Sequence, residues 1–258
     1  MATPSIQVSE TPLVLYTLRR ADDALILGHR LSERCGHAPA MEEDMALSNI
    51  ALDLIGQARE LYAYAAEVEG RGNDEDKFAY LRDVRQYRNL LLAEQPNGDF
   101  AHTMVRQLFY SAFADPYWRA MMASNDTTLA AIAARSEKES AYHLRQASEW
   151  VIRLGDGTEE SHARAQAAID DLWSFTGEMF FVDDSERGVI DRGTAIDAAN
   201  LKYQWHAAVS RVVSEATLRL PQNDWMQQGG RHGRHSEHFG HLLSELQYMQ
   251  RTFPGVSW

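Results

Sequence analysis

Leu47-Ser-Asn-Ile-Ala-Leu-Asp-Leu-Ile-Gly-Gln57 holds one carboxylate, Asp53, in a stretch that is otherwise apolar, small or uncharged. Outward from it, Met45, Leu47, Ile50, Ala51, Leu54, Ile55, Ala58, Leu61, Tyr62, Ala65 and Val68 repeat at helical spacing and cover much of the circumference. The pattern predicts a helix over about 41–69, ended by Gly70, and its broad apolar surface predicts a central, mostly buried position. A second stretch, Ala133-Ala-Arg-Ser-Glu-Lys-Glu-Ser-Ala-Tyr-His143, again sets a carboxylate, Glu139, on a helix.

Helix punctuation extends this reading along the chain. Thr11-Pro12 offers a cap followed by proline in the first turn, so a first helix is expected over about 12–35, closed by Gly36 with Pro39 beyond. Asn73-Asp-Glu-Asp76 puts acid at the positive end of a third helix that must stop before Gln95-Pro96. A fourth begins near Asn97, meets a kink or break at Asp115-Pro116 and resumes to about Met122. Asn125 or Asp126 caps a fifth, which ends at Gly155-Asp-Gly157, and Thr158 with Glu159 and Glu160 opens a sixth to about Phe180. Asp183-Asp-Ser-Glu-Arg-Gly188 reads as a solvated loop, and Thr194-Ala-Ile-Asp197, close to a capping box, opens a seventh helix ending before Pro221. Gln227-Gln-Gly-Gly-Arg-His-Gly-Arg-His235 is the most basic and flexible stretch, followed by a last helix from Ser236 to about Arg251.

Composition supports an all-α protein: 45% hydrophobic and 24% charged residues with only 16 Gly and 7 Pro among 258. No repeat or linker divides the chain, so one helical domain over 1–258 with a short flexible N-terminus, 1–10, is expected. A net charge of −12 opposes nucleic acid and anionic membranes. Cys35 stands alone, no apolar run approaches the ~20 residues of a membrane span, and the N-terminus lacks a signal-peptide pattern, so the expected compartment is the cytoplasm.

Spacing raises and then weakens a metal reading. A carboxylate-bridged di-iron bundle takes a carboxylate from each of two helices and Glu-x-x-His from each of the other two, since i and i+3 lie one turn apart. Asp53 is followed at i+3 by Gly56 and Glu139 by Tyr142, so the site is degenerate and points to a partner that holds the metal. Asp22 or Asp23 stands about a helix pair before Asp53, but the same interval before Glu139 reaches Val105–Phe109, which has no acid. Asp22, Asp53 and Glu139 would supply oxygen without the expected imidazoles and hold iron poorly; the alternative is polar or ion-paired residues inside a bundle. His143, at i+4 from Glu139, restores one nitrogen, and Asp99-Phe-Ala-His102 is a further pair whose acid is equally explained by a helix start. His232, His235 and His238, around Arg231 and Arg234, read either as a solvated partner-contacting loop or as a zinc or nucleotide-phosphate contact. Trp150, Trp173, Phe175, Phe180, Trp205 and Tyr248 read as core or interface anchors.

Longer segments carry a resemblance. Leu27-Gly-His-Arg-Leu-Ser-Glu33, Cys35-Gly-His-Ala-Pro39, Leu47 to Ala58, Asn89-Leu-Leu-Leu-Ala-Glu-Gln-Pro-Asn-Gly-Asp-Phe100, Tyr142-His-Leu-Arg145, Arg153-Leu-Gly-Asp-Gly-Thr158, Ser214-Glu-Ala-Thr-Leu218, the Gly229-Gly230 pair and Glu237-His238 resemble the C subunits of bacterial phenylacetyl-CoA epoxidases, from about residue 13 to Trp258. That resemblance implies a ferritin-like bundle and a non-catalytic structural subunit beside a homologous A subunit, which carries the di-iron centre. It implies no catalytic, cofactor or metal residue in this chain. The implied complex is a heterodimer or higher, with small accessory subunits and a reductase bearing FAD and an Fe-S cluster that draws on NADPH; the isolated chain is compatible with a homodimer. Its implied reaction is ring 1,2-epoxidation of phenylacetyl-CoA by dioxygen in aerobic phenylacetate catabolism. The stretch after Ala195 is the expected partner-facing segment. Two rival readings stand beside it: a di-metal oxygenase using Asp22, Asp53, Glu139 and His143 or His102, and a ferritin-like binding protein with no oxygenase partner.

Overall fold

A computed structural model describes residues 4–256. Among them lie ten α-helices, joined by 3-10 turns, and no strand. Four long helices form the frame: α1 (Pro12–Glu33), α2 (Met41–Glu69), α5 (Phe100–Met121) and α6 (Thr127–Gly155), with α3 (Glu75–Tyr80) and the single turn α4 (Leu91–Glu94) between the two pairs. The all-α expectation and the ferritin-like bundle are both met. α1 lies along α2, α5 along α6, and α2 touches α6, which closes the four-helix layer. Around it, α7 (Glu159–Leu172) covers α5, α8 (Asp184–Ile190) packs on α1, α9 (Lys202–Glu215) on α6 and α5, and α10 (Glu237–Thr252) on α3.

Local chemistry sets the ends. Pro12 occupies the first turn of α1, Gly70 closes α2 in the left-handed region at φ 65°, and Asp99, Asp126 and Thr158 accept from first-turn amides of α5, α6 and α7. Residues 4–10, read from sequence as part of a flexible arm, lie extended against the body: Ile6 N–H donates to Leu81 O at 3.0 Å and Gln86 Nε2 to Ile6 O at 3.0 Å. Residues 1–3 fall outside the described ones.

Centrality is inverted relative to the sequence reading. α1 and α5 are the enclosed helices, buried almost all round, whereas α2 leaves Met41, Met45 and Leu52 at 73%, 59% and 66% exposure. Periodicity missed this because α1 buries charged residues, Arg19, Arg20, Asp22 and Asp23, that count as polar in a hydropathy pattern but are paired inside.

Other boundaries also differ. The third helix breaks after Tyr80 into a 3-10 turn at Val84–Gln86 and the turn α4, because Arg82 turns inward. α5 runs unbroken through Pro116. The sixth helix stops at Leu172, and the seventh opens at Asp197, whose carboxylate accepts from Ala199 N–H, rather than at Thr194. Residues 183–188 are not a solvated loop. They form most of α8, whose Glu186 is buried at 1% exposure and whose cap, Asp183, receives Arg19 at 2.5 Å. Trp173 and Trp205 sit in the core with Phe109, and Phe180 packs edge-on to Trp205.

Candidate functional site

A ladder of polar side chains joins α2 to α6 where degenerate ligand positions were expected. His143 Nε2 lies 2.9 Å from Asp53 Oδ2, Gln57 Nε2 donates to Glu139 Oε2 at 2.8 Å, and Arg135 Nη1 donates to Glu60 Oε1 at 2.5 Å. Three rungs thus descend α2 at 53, 57 and 60 as they climb α6 at 143, 139 and 135, which is the register of antiparallel helices. Arg135 Nε also reaches Glu139 Oε1 at 3.4 Å, so both oxygens of that carboxylate have protein donors. His143 and Gln57 are buried; Asp53, Glu60 and Glu139 are half-exposed. Gly56 and Tyr142, the two positions lacking imidazole, lie on the outer side of this seam, with open space beside Gly56 and Tyr142 39% exposed.

The α1 carboxylates are spent elsewhere. Asp22, fully buried, receives Arg82 Nη1 at 3.1 Å, Tyr62 Oη at 2.6 Å and Arg88 N–H at 2.7 Å, and its Oδ1 also accepts from Arg82 Nη2. Asp23 takes both Nη atoms of Arg231 at 2.8 Å each and the Leu90 amide at 2.8 Å. Burial of charge at this depth is tolerated only because every carboxylate oxygen has partners. In the interior between α1 and α5, Arg20 stands over the Tyr117 ring at 4.9 Å, and the hydroxyls of Tyr16 and Tyr117 hydrogen-bond each other.

These residues do not fit a two-metal centre. Both oxygens of Asp22 and of Glu139, and Oδ2 of Asp53, are turned to protein partners, a single imidazole is held by the carboxylate beside it, and a guanidinium in the interior supplies charge of the wrong sign. Among the described residues, no three His, Cys, Asp or Glu side chains form a group able to hold a metal ion. Asp99 and His102 do not converge as ligands either: Asp99 Oδ1 accepts from the His102 backbone amide at 2.9 Å as the cap of α5, and burial, with Arg106 adding to it, pushes the His102 imidazole pKa down.

The basic stretch 227–235 is a correction to the sequence reading. It is a plug seated in the body, not a solvated loop. Arg231 is 2% exposed, and besides Asp23 its Nη1 donates to the carbonyls of Arg19 and Arg88 at 3.2 and 2.8 Å, so it is not presented to a phosphate. Glu178 accepts from the amides of Gly229 and Leu91, and Glu94 accepts from Ser236 N–H at 2.5 Å and His235 Nδ1 at 2.8 Å. His232 stacks edge-on to Phe181, and Arg234 stays exposed. The interval reading missed Gln57, Glu60 and Arg135; the i, i+4, i+7 spacing from Asp53 and the i, i−4, i−8 spacing from His143 carried the signal.

The chain matches, over residues 1–258, the family described as phenylacetic acid catabolic protein. It is similar to the C subunit of the 1,2-phenylacetyl-CoA epoxidase of Escherichia coli (strain K12), with 48% identity over 246 residues that span 95% of this chain and 99% of that protein. No described helix is long and apolar enough to cross a membrane.

Proposed function

The chain belongs to the phenylacetic acid catabolic protein family, and from that premise we propose that it is the non-catalytic structural subunit of a multicomponent monooxygenase acting on phenylacetyl-CoA. The observation that carries the reading is the α2/α6 ladder: where a di-iron bundle needs metal-facing carboxylate and imidazole, Asp53 is tied to His143 and Glu139 to Gln57 and Arg135. The di-iron centre, which supplies dioxygen activation, belongs in this reading to a homologous A subunit, fed through a reductase carrying FAD and an Fe-S cluster that draws on NADPH.

This chain's residues then act by shape. The ladder locks α2 to α6 without metal, so the bundle keeps the geometry of its iron-bearing relative and buries part of that subunit's surface. Covering such a face excludes water from the oxygenating site. Tyr203 and Trp225, exposed at 87% and 60% in the stretch after Ala195, are the anchors assigned to that contact.

The test is reconstitution. The A subunit with this chain should give full coupled turnover, epoxide formed per NADPH consumed, and the A subunit alone should not. Asp53→Asn and Glu139→Gln in this chain should leave turnover within about threefold of the original, whereas a transition-state group would cost about 100-fold or more. Full coupled turnover without this chain, or a loss of about 100-fold from either variant in an intact complex, contradicts the reading.

A further inference from the structure

The N-terminal arm roofs a partly enclosed cleft of about 320 Å³, whose other walls are the start of α1 and the 3-10 turn at Val84–Gln86 with Arg88 beyond it. Ile6 is pinned by Leu81 and Gln86, and Ser9 N–H donates to Glu69 Oε1 at 2.6 Å, so the roof is held on both sides of Gln7 and Val8. Val8, Leu15 and Leu18 give the cleft an apolar side; Ser9, Gln86 and Arg88 give it a polar one. Arg88 is the one cation among the lining residues, and its side chain is only 16% exposed.

Arg88 differs from the arginines buried beside it. Arg82 holds both oxygens of Asp22, and Arg231 holds both oxygens of Asp23. Arg88 spends Nη1 on the carbonyls of Arg85 and Tyr87, at 2.5 and 3.0 Å, and its Nε takes no acceptor among the described residues. Nη2 reaches a single oxygen of Glu10 at 3.4 Å, near the limit of a hydrogen bond, and that carboxylate is 74% exposed. Burial lowers the pKa of the Arg88 guanidinium, and Arg82 and Arg19 lower it further against the pull of Asp22 and Glu10. A guanidinium edge of this kind takes a carboxylate through two parallel hydrogen bonds, and the Nε–Nη2 edge here has only one long contact.

We propose that the cleft is a binding site for a small monocarboxylic acid, whose carboxylate takes the Nε–Nη2 edge of Arg88 in place of Glu10 and whose apolar body lies against Val8, Leu15 and Leu18. At about 320 Å³ the cleft stands at the lower end of the ~300–1,000 Å³ of ligand sites, so the acid is small. Phosphate suits it less, because one guanidinium faces three apolar side chains. The bound acid touches both the arm and α1, and so fastens residues 7–10 to the body. This site goes beyond the structural-subunit reading and does not rest on it, since its test uses the chain alone.

The test is isothermal titration of the full chain with hexanoate and with benzoate. Both should bind saturably, while hexan-1-ol, which keeps the apolar body without the charge, and inorganic phosphate should bind at least about tenfold more weakly. Arg88→Gln should weaken hexanoate by about tenfold or more, and Arg88→Lys should not restore it, because an ammonium lacks the fork. Glu10→Gln, at an exposed position, removes the competing carboxylate and should tighten hexanoate by about threefold. Saturating hexanoate should also slow proteolysis within residues 4–10. Absence of saturable binding, phosphate or hexan-1-ol binding as tightly as hexanoate, an affinity unchanged in Arg88→Gln or not raised in Glu10→Gln, or an arm left unprotected overturns the proposal. If Arg88→Gln does not fold, Glu10→Gln and the hexan-1-ol comparison decide it.

Discussion

Arg231 and Asp23, 208 positions apart, meet through two parallel hydrogen bonds of 2.8 Å in a site where both side chains are almost wholly buried. The pair ties the last third of the chain to the central helix α1. Arg231→Met removes one charge and leaves Asp23 buried with Arg20 at 3.6 Å as its nearest cation, so the expected loss is about 3–5 kcal/mol in urea unfolding. Adding Asp23→Leu should recover most of it, because no carboxylate is then left buried without its guanidinium fork and Arg20 keeps Glu186 at 3.7 Å. Arg231→Lys should not, since a point charge cannot make the fork.

Gly230 is required by close approach rather than by φ. A Cβ there would lie 2.2 Å from Asn89 O, a backbone atom held in the turn that leads into α4. Gly230→Ala should cost about 2–4 kcal/mol and open new protease cuts between 226 and 236, read by limited proteolysis and mass spectrometry. Gly240→Ala on α10, with open space around it, should instead stabilise by about 0.5–1 kcal/mol.

Acid should weaken the fold in two stages. Burial lowers the pKa of His29 on α1 to about 4 from 6.5. The unfolded imidazole therefore takes its proton near 6.5 while the folded one waits until about 4, so stability is complete above 6.5 and falls across that window. After discount for its partial exposure the loss is on the order of 1–2 kcal/mol. Asp183 adds a second stage. Burial raises its pKa, but hydrogen bonds from Arg19 and Ser185 outweigh that and hold it well below the carboxylate range, so its stabilisation is complete above about 4 and declines progressively as the pH falls below that. Urea midpoints at pH 7.5, 5 and 3.5 should show both stages in the original and only the later one in His29→Asn.

Much of the frame was legible in sequence because its signals are local. Thr11-Pro12, Gly70, Asp126 and Thr158 are end signals that act within one turn, and the structure places helix ends at each. What was not legible depends on partners distant in the chain. Arg231 and His235 read as solvated because histidine and arginine beside glycine usually are; their burial follows from Asp23 and Glu94, which no local pattern connects to them. α8 was hidden for the same reason, since Arg19 is the cation that draws Asp183 and Glu186 inward. The apolar excess of α2 was visible but ambiguous: periodicity reports that a face is apolar, not whether the same chain covers it. At the candidate site, the missing imidazoles at Gly56 and Tyr142 were plain from spacing, while the ladder that replaces them needed the register of α2 against α6.

The central claim, that iron chemistry resides in another subunit, is tested most directly by metal content. The purified chain is incubated with ferrous iron under anaerobic conditions, desalted and assayed for iron per chain, then assayed again in complex with the homologous A subunit. No stoichiometric iron is expected in the chain alone, and iron together with turnover is expected in the complex; about two tightly held irons in the chain alone would contradict the claim and return Asp22, Asp53, Glu139 and His143 to the role of ligands.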